Sequence, residues 1–252
     1  MTTAGGDPAR ARAWDDVGLV PDRLPSGWRR HARRAHLMLL DRWGPPAGRW
    51  LKTDLQEERE PGPRALVGAL PGYWTGIDMA HPVVAGAHRS GVTGAVADVR
   101  RLPFPEGTFD GVLSTSTLDH FAHVSEIGVA LGELRRVLRD GGRLVLTLDN
   151  PKNPLIRLRN ALPRQAQLAS GMVPYHVGPT LSEAAGRQAL VASGFEVVAS
   201  TFLLHAPHVV GTRAARWRWV EERALPWLDR LERTPVASRT GHFVAFHAIA
   251  GR

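Results

Sequence analysis

Short apolar runs alternate with stretches of helical period from Trp50 to Ala250, and this alternation limits the possible folds more than any other feature of the chain. Trp50 to Thr53, Tyr73 to Asp78 (YWTGID), Val92 to Ala97 (VTGAVA), Phe109 to Ser114 (FDGVLS) and Arg143 to Leu148 (RLVLTL) read as strands. Phe195 to Leu204 and Gly241 to Ala250 (GHFVAFHAIA) close the series. Helices are predicted between them: Pro63 to Leu70, residues 80–88 behind Asp78, and His123 to Leu138. The last of these puts Ile127, Leu131, Leu134 and Leu138 on one face. Leu181 to Ser193, capped by Thr180 or Ser182 and closed by Gly194, and Thr212 to Arg233 complete the set. Such alternation predicts an α/β fold, a doubly wound parallel sheet with helices on both faces.

The flanks break this rhythm. Ser26 can cap a helix from Trp28 to Trp43, stopped by Gly44-Pro45-Pro46. Residues 1–27, polar and rich in Gly, Pro and Arg, are predicted to be flexible, leaving 28–252 as a single domain. Prolines 151, 154, 163, 174 and 179 predict an insertion around 150–180, read as a lid over the site.

Composition removes several classes of function. A hydrophobic fraction of 43% is enough for a core. The absence of Cys excludes disulfides, thiolate metal centres and a cysteine nucleophile. No pair of histidines has the helical spacing with an acid that a zinc site needs, so no metal is expected. No apolar run approaches ~18 residues and none follows the first arginines, so neither a membrane span nor a secretory signal is expected, and the default compartment is the cytoplasm. The net charge of +8 invites a nucleic-acid partner, but only Lys52 and Lys152 are lysines and the arginines are scattered. Solvated helix faces are the preferred reading of them.

Four features come in a particular order: a strand ending in Gly76-Ile77-Asp78, then ADVRRLPFPEGTFD from Ala97, then GVLSTSTLDHF from Gly111, then ALGELRRVLRDGGRLVL from Ala130. Together they resemble the class I S-adenosylmethionine-dependent methyltransferase superfamily, in its small-molecule branch, over roughly residues 47–250. The resemblance implies a Rossmann-like sheet of about seven strands with the last antiparallel, and S-adenosyl-L-methionine as cofactor. It implies that Asp78 accepts the ribose hydroxyls, that Asp98 and the Val99 amide meet the adenine, and that Ser114 to Thr117 run past the sulfonium; Leu102 and Phe104 either flank the adenine or belong to the core. Glu133 is expected to anchor its helix through an ion pair, and Gly141-Gly142 to permit a tight turn.

The chain departs from the superfamily's glycine-rich first loop. RWLKTDLQEEREPGP, residues 49–63, holds no GxGxG pattern. One reading is an alternative loop, in which Asp54 or Glu57 meets the cofactor's ammonium and Thr53 or backbone donors meet its carboxylate. The other is a lost site. Lys52 is expected to pair with a carboxylate of the same loop.

Methyl transfer needs mainly proximity and orientation, and needs a base only for a hydroxyl or protonated-amine acceptor. Candidate catalytic residues are Asp119 and His120, with His123 nearby, and His176 beside Tyr175 in the lid. Asn150, Asn153, Arg157, His205 and His208 are further candidates for the acceptor cleft. Trp217, Trp219 and Trp227 are read as packing, with an apolar acceptor pocket or a membrane-surface contact as the functional alternative. The expected function is methylation of a small organic acceptor, secondary-metabolite or lipid-like. The alternatives are a catalytically silent binding or scaffold protein, and an RNA or protein methyltransferase. The oligomeric state is left open.

Overall fold

In the computed structural model, residues 8–19, 26–60, 65–163, 165–166, 177–206, 214 and 217–251 are described. Seven strands form one sheet: β1 (Arg49–Lys52), β2 (Tyr73–Asp78), β3 (Thr93–Val96), β4 (Phe109–Thr115), β5 (Leu138–Asp149), β6 (Phe195–Leu203) and β7 (Phe243–Ala250), in the order β3-β2-β1-β4-β5-β7-β6. The first five pair in parallel, whereas β7 runs antiparallel to both β5 and β6. The expected mixed sheet is therefore present.

The core follows from two-residue alternation on strands buried on both faces. Leu51, Val112, Leu144, Leu146, Val244 and Phe246 point to one side, where α4 (Val124–Val137) and α6 (Glu183–Ala192) cover them. Trp50, Leu113, Val145 and Ala245 point to the other, against Leu39 and Leu40 of α2 (Ser26–Arg42) and against Val220 and Leu225. Further helices among the described residues include α1 (Pro8–Leu19), α3 (His81–Arg89) and α5 (Pro154–Ala161).

Several local expectations change. Pro8–Leu19 is helical within the segment predicted to be flexible, because its apolar side finds α3 to pack on. Of the expected helix 63–70, residues 63 and 64 lie outside the described residues, and among the described ones only Val67–Ala69 is helical, as a 3-10 turn. The long helix expected from Thr212 is broken into a π-helical turn at Val220–Ala224, an α-turn at Leu225–Leu228 and a 3-10 stretch at Asp229–Arg233. Pro226, which cannot donate to a preceding carbonyl, stands at the junction. Much of that segment's start, and much of the expected lid, lie outside the described residues. Gly141 does take a left-handed φ of +71°, and the β4–β5 register shifts beside it.

Two glycines have a direct bearing on the site. Leu55, fully buried in the loop after β1, lies across β2 and β3 where Gly76 and Gly94 leave room. A Cβ on Gly76 would sit 2.2 Å from a Leu55 methyl, and one on Gly94 would sit 2.8 Å from the other. Gly76→Val is therefore expected to destabilise the fold by about 1–3 kcal/mol through overpacking. In urea unfolding, Leu55→Ala added to it should recover much of that loss. Strict additivity of the two variants would show that this contact does not hold the loop.

Candidate functional site

In an open sheet of this order, ligands bind beyond the carboxyl ends of the strands, where neighbouring connections diverge. That point lies here between β1 and β4, which pair directly. Lys52 ends β1, Asp78 ends β2, Thr115 ends β4 and Asp149 ends β5 at the same edge.

Lys52 is fully buried. Its Nζ donates to the Asp54 carbonyl at 2.5 Å and lies 3.8 Å from Glu58 Oε1. Burial alone would lower its pKa, but the carboxylates of Asp54, Glu57, Glu58 and Asp78 outweigh that and hold it above the usual lysine value. Glu58 folds the following segment by accepting from the amides of Leu66 and Val67 at 3.1 and 3.2 Å. Burial raises the pKa of both Glu57 and Glu58, with Lys52 opposing the shift. Asp54 turns its own loop by accepting from the Gln56 amide at 2.7 Å.

Asp78 receives the Leu55 amide on Oδ2 at 3.1 Å and the Ala80 amide on Oδ1 at 2.8 Å. Burial, and then the charge of Asp54, push its carboxyl up to about 7. Lys52 thus lies among four carboxyl groups, and Arg29 and Arg33 also act on Glu57. Asp98, one strand further out, is held by Arg100, whose Nε lies 3.0 Å from both carboxylate oxygens and whose Nη1 pairs with Glu126. The same guanidinium stands 5.3 Å from the Phe121 ring centroid. Val99 and Leu102 are buried in the core and Phe104 packs edge-on against Phe109 at 5.0 Å. Leu102 and Phe104 thus pack with the core side chains, one of the two readings open for them. Glu133 pairs with Arg136 and also accepts the Leu102 amide at 2.8 Å, which fastens the loop after β3 to α4.

The loops after β1 and β4 are joined by hydroxyls. Thr53 Oγ1 lies 2.9 Å from Ser114 Oγ and 2.8 Å from Thr117 Oγ1. Ser114 is fully buried in that contact. Ser116, at φ +47°, begins the turn that brings Asp119 inward. Asp119 is fully buried and accepts from the Asp149 amide at 2.9 Å and from Ser116 Oγ at 3.0 Å. Burial and then the neighbouring Asp149 raise its pKa. His120 Nε2 stands 4.0 Å from Asp119 Oδ1.

Beyond β5, Asp149 pairs with Arg159, and His242 Nε2 lies 3.6 Å from its other oxygen. Asn150 Nδ2 donates to Ser238 and Gly241 carbonyls, and Asn153 both caps α5 and donates to Thr240 and Gly241. His205 bonds Thr240 Oγ1 and the Phe202 carbonyl through its two nitrogens. Asn150 and Asn153 thus tie the segment after β5 to the β6–β7 connection, and His205 bonds within that connection, because buried polar groups there need partners. Tyr175, His176 and His208 lie outside the described residues. The structure adds Arg100, Asp149, Arg159, His242 and Trp14, which sequence reading did not single out. Asp149 alone had a legible signal, an acid ending a strand as Asp78 does.

Comparisons with known proteins bear on the same edge of the sheet. Residues 62–146 match a family described as a methyltransferase domain. Over 104 residues the chain is 38% identical to a demethylmenaquinone methyltransferase of Thermus thermophilus, a match spanning 39% of this chain and 41% of that relative. The chain thus spans less than half the length of this curated relative. Its fold is similar to that of a Burkholderia thailandensis 1,6-didemethyltoxoflavin-N1-methyltransferase, at 19% identity and TM-score 0.58, covering 100% of this chain and 94% of that one. A [4+2]-cyclase, SpnF, is similar to the same degree, with TM-score 0.58 at 17% identity over 96% of this chain and 92% of that one.

Removing the ammonium at Lys52 leaves a group of buried carboxylates without their counter-charge. Lys52→Met is expected to cost about 3–5 kcal/mol in denaturant unfolding at pH 8. A loss below about 1 kcal/mol, the range of exposed ion pairs, would show that Lys52 does not organise the loop.

Proposed function

We propose that the chain is a class I S-adenosylmethionine-dependent methyltransferase and that it methylates a small organic acceptor, a reading supported by its matched segment and its fold. The observation that carries the reading is the gathering of the carboxyl groups of Asp54, Glu57 and Asp78 at the ends of β1 and β2. A cofactor with an ammonium and a ribose diol meets hydrogen-bond acceptors there. When bound, this cofactor supplies an electrophilic methyl group on sulfur. Asp78 is the acceptor for its ribose hydroxyls, and Asp98 with the Val99 amide reads the adenine. Asp54 and Glu57 face the ammonium, while Thr53 and Ser114 hold the adjoining loops in register. This is the alternative-loop reading: the glycines that allow close packing stand on β2 and β3 rather than in the loop itself.

On the acceptor side, His120 is the proton-accepting group of the proposal when the acceptor is a hydroxyl or protonated amine. Asp119 positions it and ties the loop after β4 to β5. His176 remains a second candidate from the lid. The acceptor class is secondary-metabolite or lipid-like; the names demethylmenaquinone and didemethyltoxoflavin, belonging to similar proteins, support a small organic molecule. Nucleic acid is disfavoured because many arginines are committed internally, among them Arg30 to Glu221, Arg42 to Glu232, Arg136 to Glu133 and Arg159 to Asp149.

A second reading is a protein of this fold that does not transfer methyl groups. It draws on the hold of Arg100 on Asp98 and on the similar fold of a cyclase.

Calorimetric titration with S-adenosylmethionine and S-adenosylhomocysteine tests the proposal. Micromolar binding is expected, and Asp78→Ala should abolish it. The ionised Asp78 is the binding form and its carboxyl sits at about 7, so affinity is level above that pH and falls by up to about tenfold per unit below it. A folded protein that takes up neither ligand at millimolar concentration removes this reading.

A further inference from the structure

Helix α1 belongs to a segment whose composition predicted flexibility, yet it touches three of the loops that wall the candidate site. From the loop after β1, Arg59 Nη1 donates to the Gly18 carbonyl at 2.6 Å. At the segment after β2, Asp15 Oδ1 accepts the His81 amide at 2.7 Å, at the start of α3. Gly18 lies against Ala80 and Val83, so closely that a Cβ there would meet Ala80 Cβ at 3.0 Å. At the lip after β4, the Trp14 ring stands 5.6 Å from the His120 ring, tilted by 60°. Trp14 also packs against the cluster of Leu55, Ala80, Val83, Val84 and Ala87.

These neighbours are the groups that build the site. Leu55 and Ala80 are the two residues whose amides hold the Asp78 carboxylate. A single aromatic side chain therefore bridges the β2 side and the β4 side of the edge where Asp78 and Thr53 stand. A helix placed to pack on the outer surface of the sheet would touch one such loop, whereas α1 reaches three.

We propose that α1 forms the roof of the cofactor crevice, and that Trp14 is a positioning residue that slows escape of the bound cofactor by closing the gap between α3 and His120. The inference rests on the methyltransferase reading above. Aromatic contacts of this size, lost on opening, change a rate by up to about tenfold, and such changes fall mainly on dissociation.

The test is stopped-flow release of S-adenosylhomocysteine from the full chain and from Trp14→Ala, Trp14→Phe and Asp15→Ala, each checked for cooperative melting. Dissociation about tenfold faster is expected in Trp14→Ala, with Asp15→Ala also faster and Trp14→Phe close to the unaltered protein. Release from Trp14→Ala at the unaltered rate overturns the roof while leaving the cofactor reading intact. Equally fast release from Trp14→Phe and Trp14→Ala overturns the role given to the ring. If neither the folded unaltered chain nor folded Trp14→Ala binds, the cofactor reading falls and the roof falls with it.

Discussion

A lysine without solvent exposure at the end of a central strand imposes the main constraint on this molecule. Lys52 ends β1, which pairs with β2 on one side and β4 on the other, so its ammonium has no route to water. Burying such a charge is tolerable only when opposite charges and acceptors surround it. The loop after β1 is shaped by that demand. It bends to bring the Asp54 carbonyl onto Nζ, and it places Glu58 where one oxygen faces the ammonium and also takes the Leu66 and Val67 amides. Because Asp54, Glu57, Glu58 and Asp78 all act on this one cation, the same arrangement shapes the surroundings of Asp78. The interaction that stabilises the loop is thus also the one that sets the electrostatics of the site.

The packing of this loop explains how it dispenses with glycine. Backbone can approach a ligand closely either where the loop itself lacks side chains or where its side chains are drawn away. Leu55 is drawn down onto β2 and β3 over Gly76 and Gly94, and its amide is left to meet Asp78. The small residues have moved from the loop to the strands beneath it. The hydroxyl cluster of Thr53, Ser114 and Thr117 then fastens the loop to the far side of the crevice.

The arginine-rich composition has a structural account of the same kind. A bidentate guanidinium suits the joining of distant segments, since it can meet a carboxylate and a carbonyl together. Arg136 meets Glu133 and the carbonyls of Leu102 and Phe104, and Arg135 reaches both Asp140 and the Gly251 carbonyl. Arg30 and Arg42 of α2 reach Glu221 and Glu232, which secures the broken helical segment against the sheet. These pairs join distant segments of the chain and leave its formal net charge of +8 unchanged.

The sequence by itself determined the strand and helix alternation, the seven-stranded α/β class, the acids Asp78 and Asp98 at or just beyond strand ends, and the positive-φ glycine at 141, although strand β5 there replaces the expected turn. Each depends on periodicity, capping or backbone freedom within a few residues, and such effects are written locally. Tertiary structure alone decided that Asn150, Asn153 and His205 act as fasteners, that Leu102 and Phe104 join the core, and that Asp119 is buried against Asp149. It also decided that Pro8–Leu19 folds as a helix across the candidate site. Those outcomes depend on which distant groups meet, and a buried polar or aromatic side chain takes its role from the partner that satisfies it.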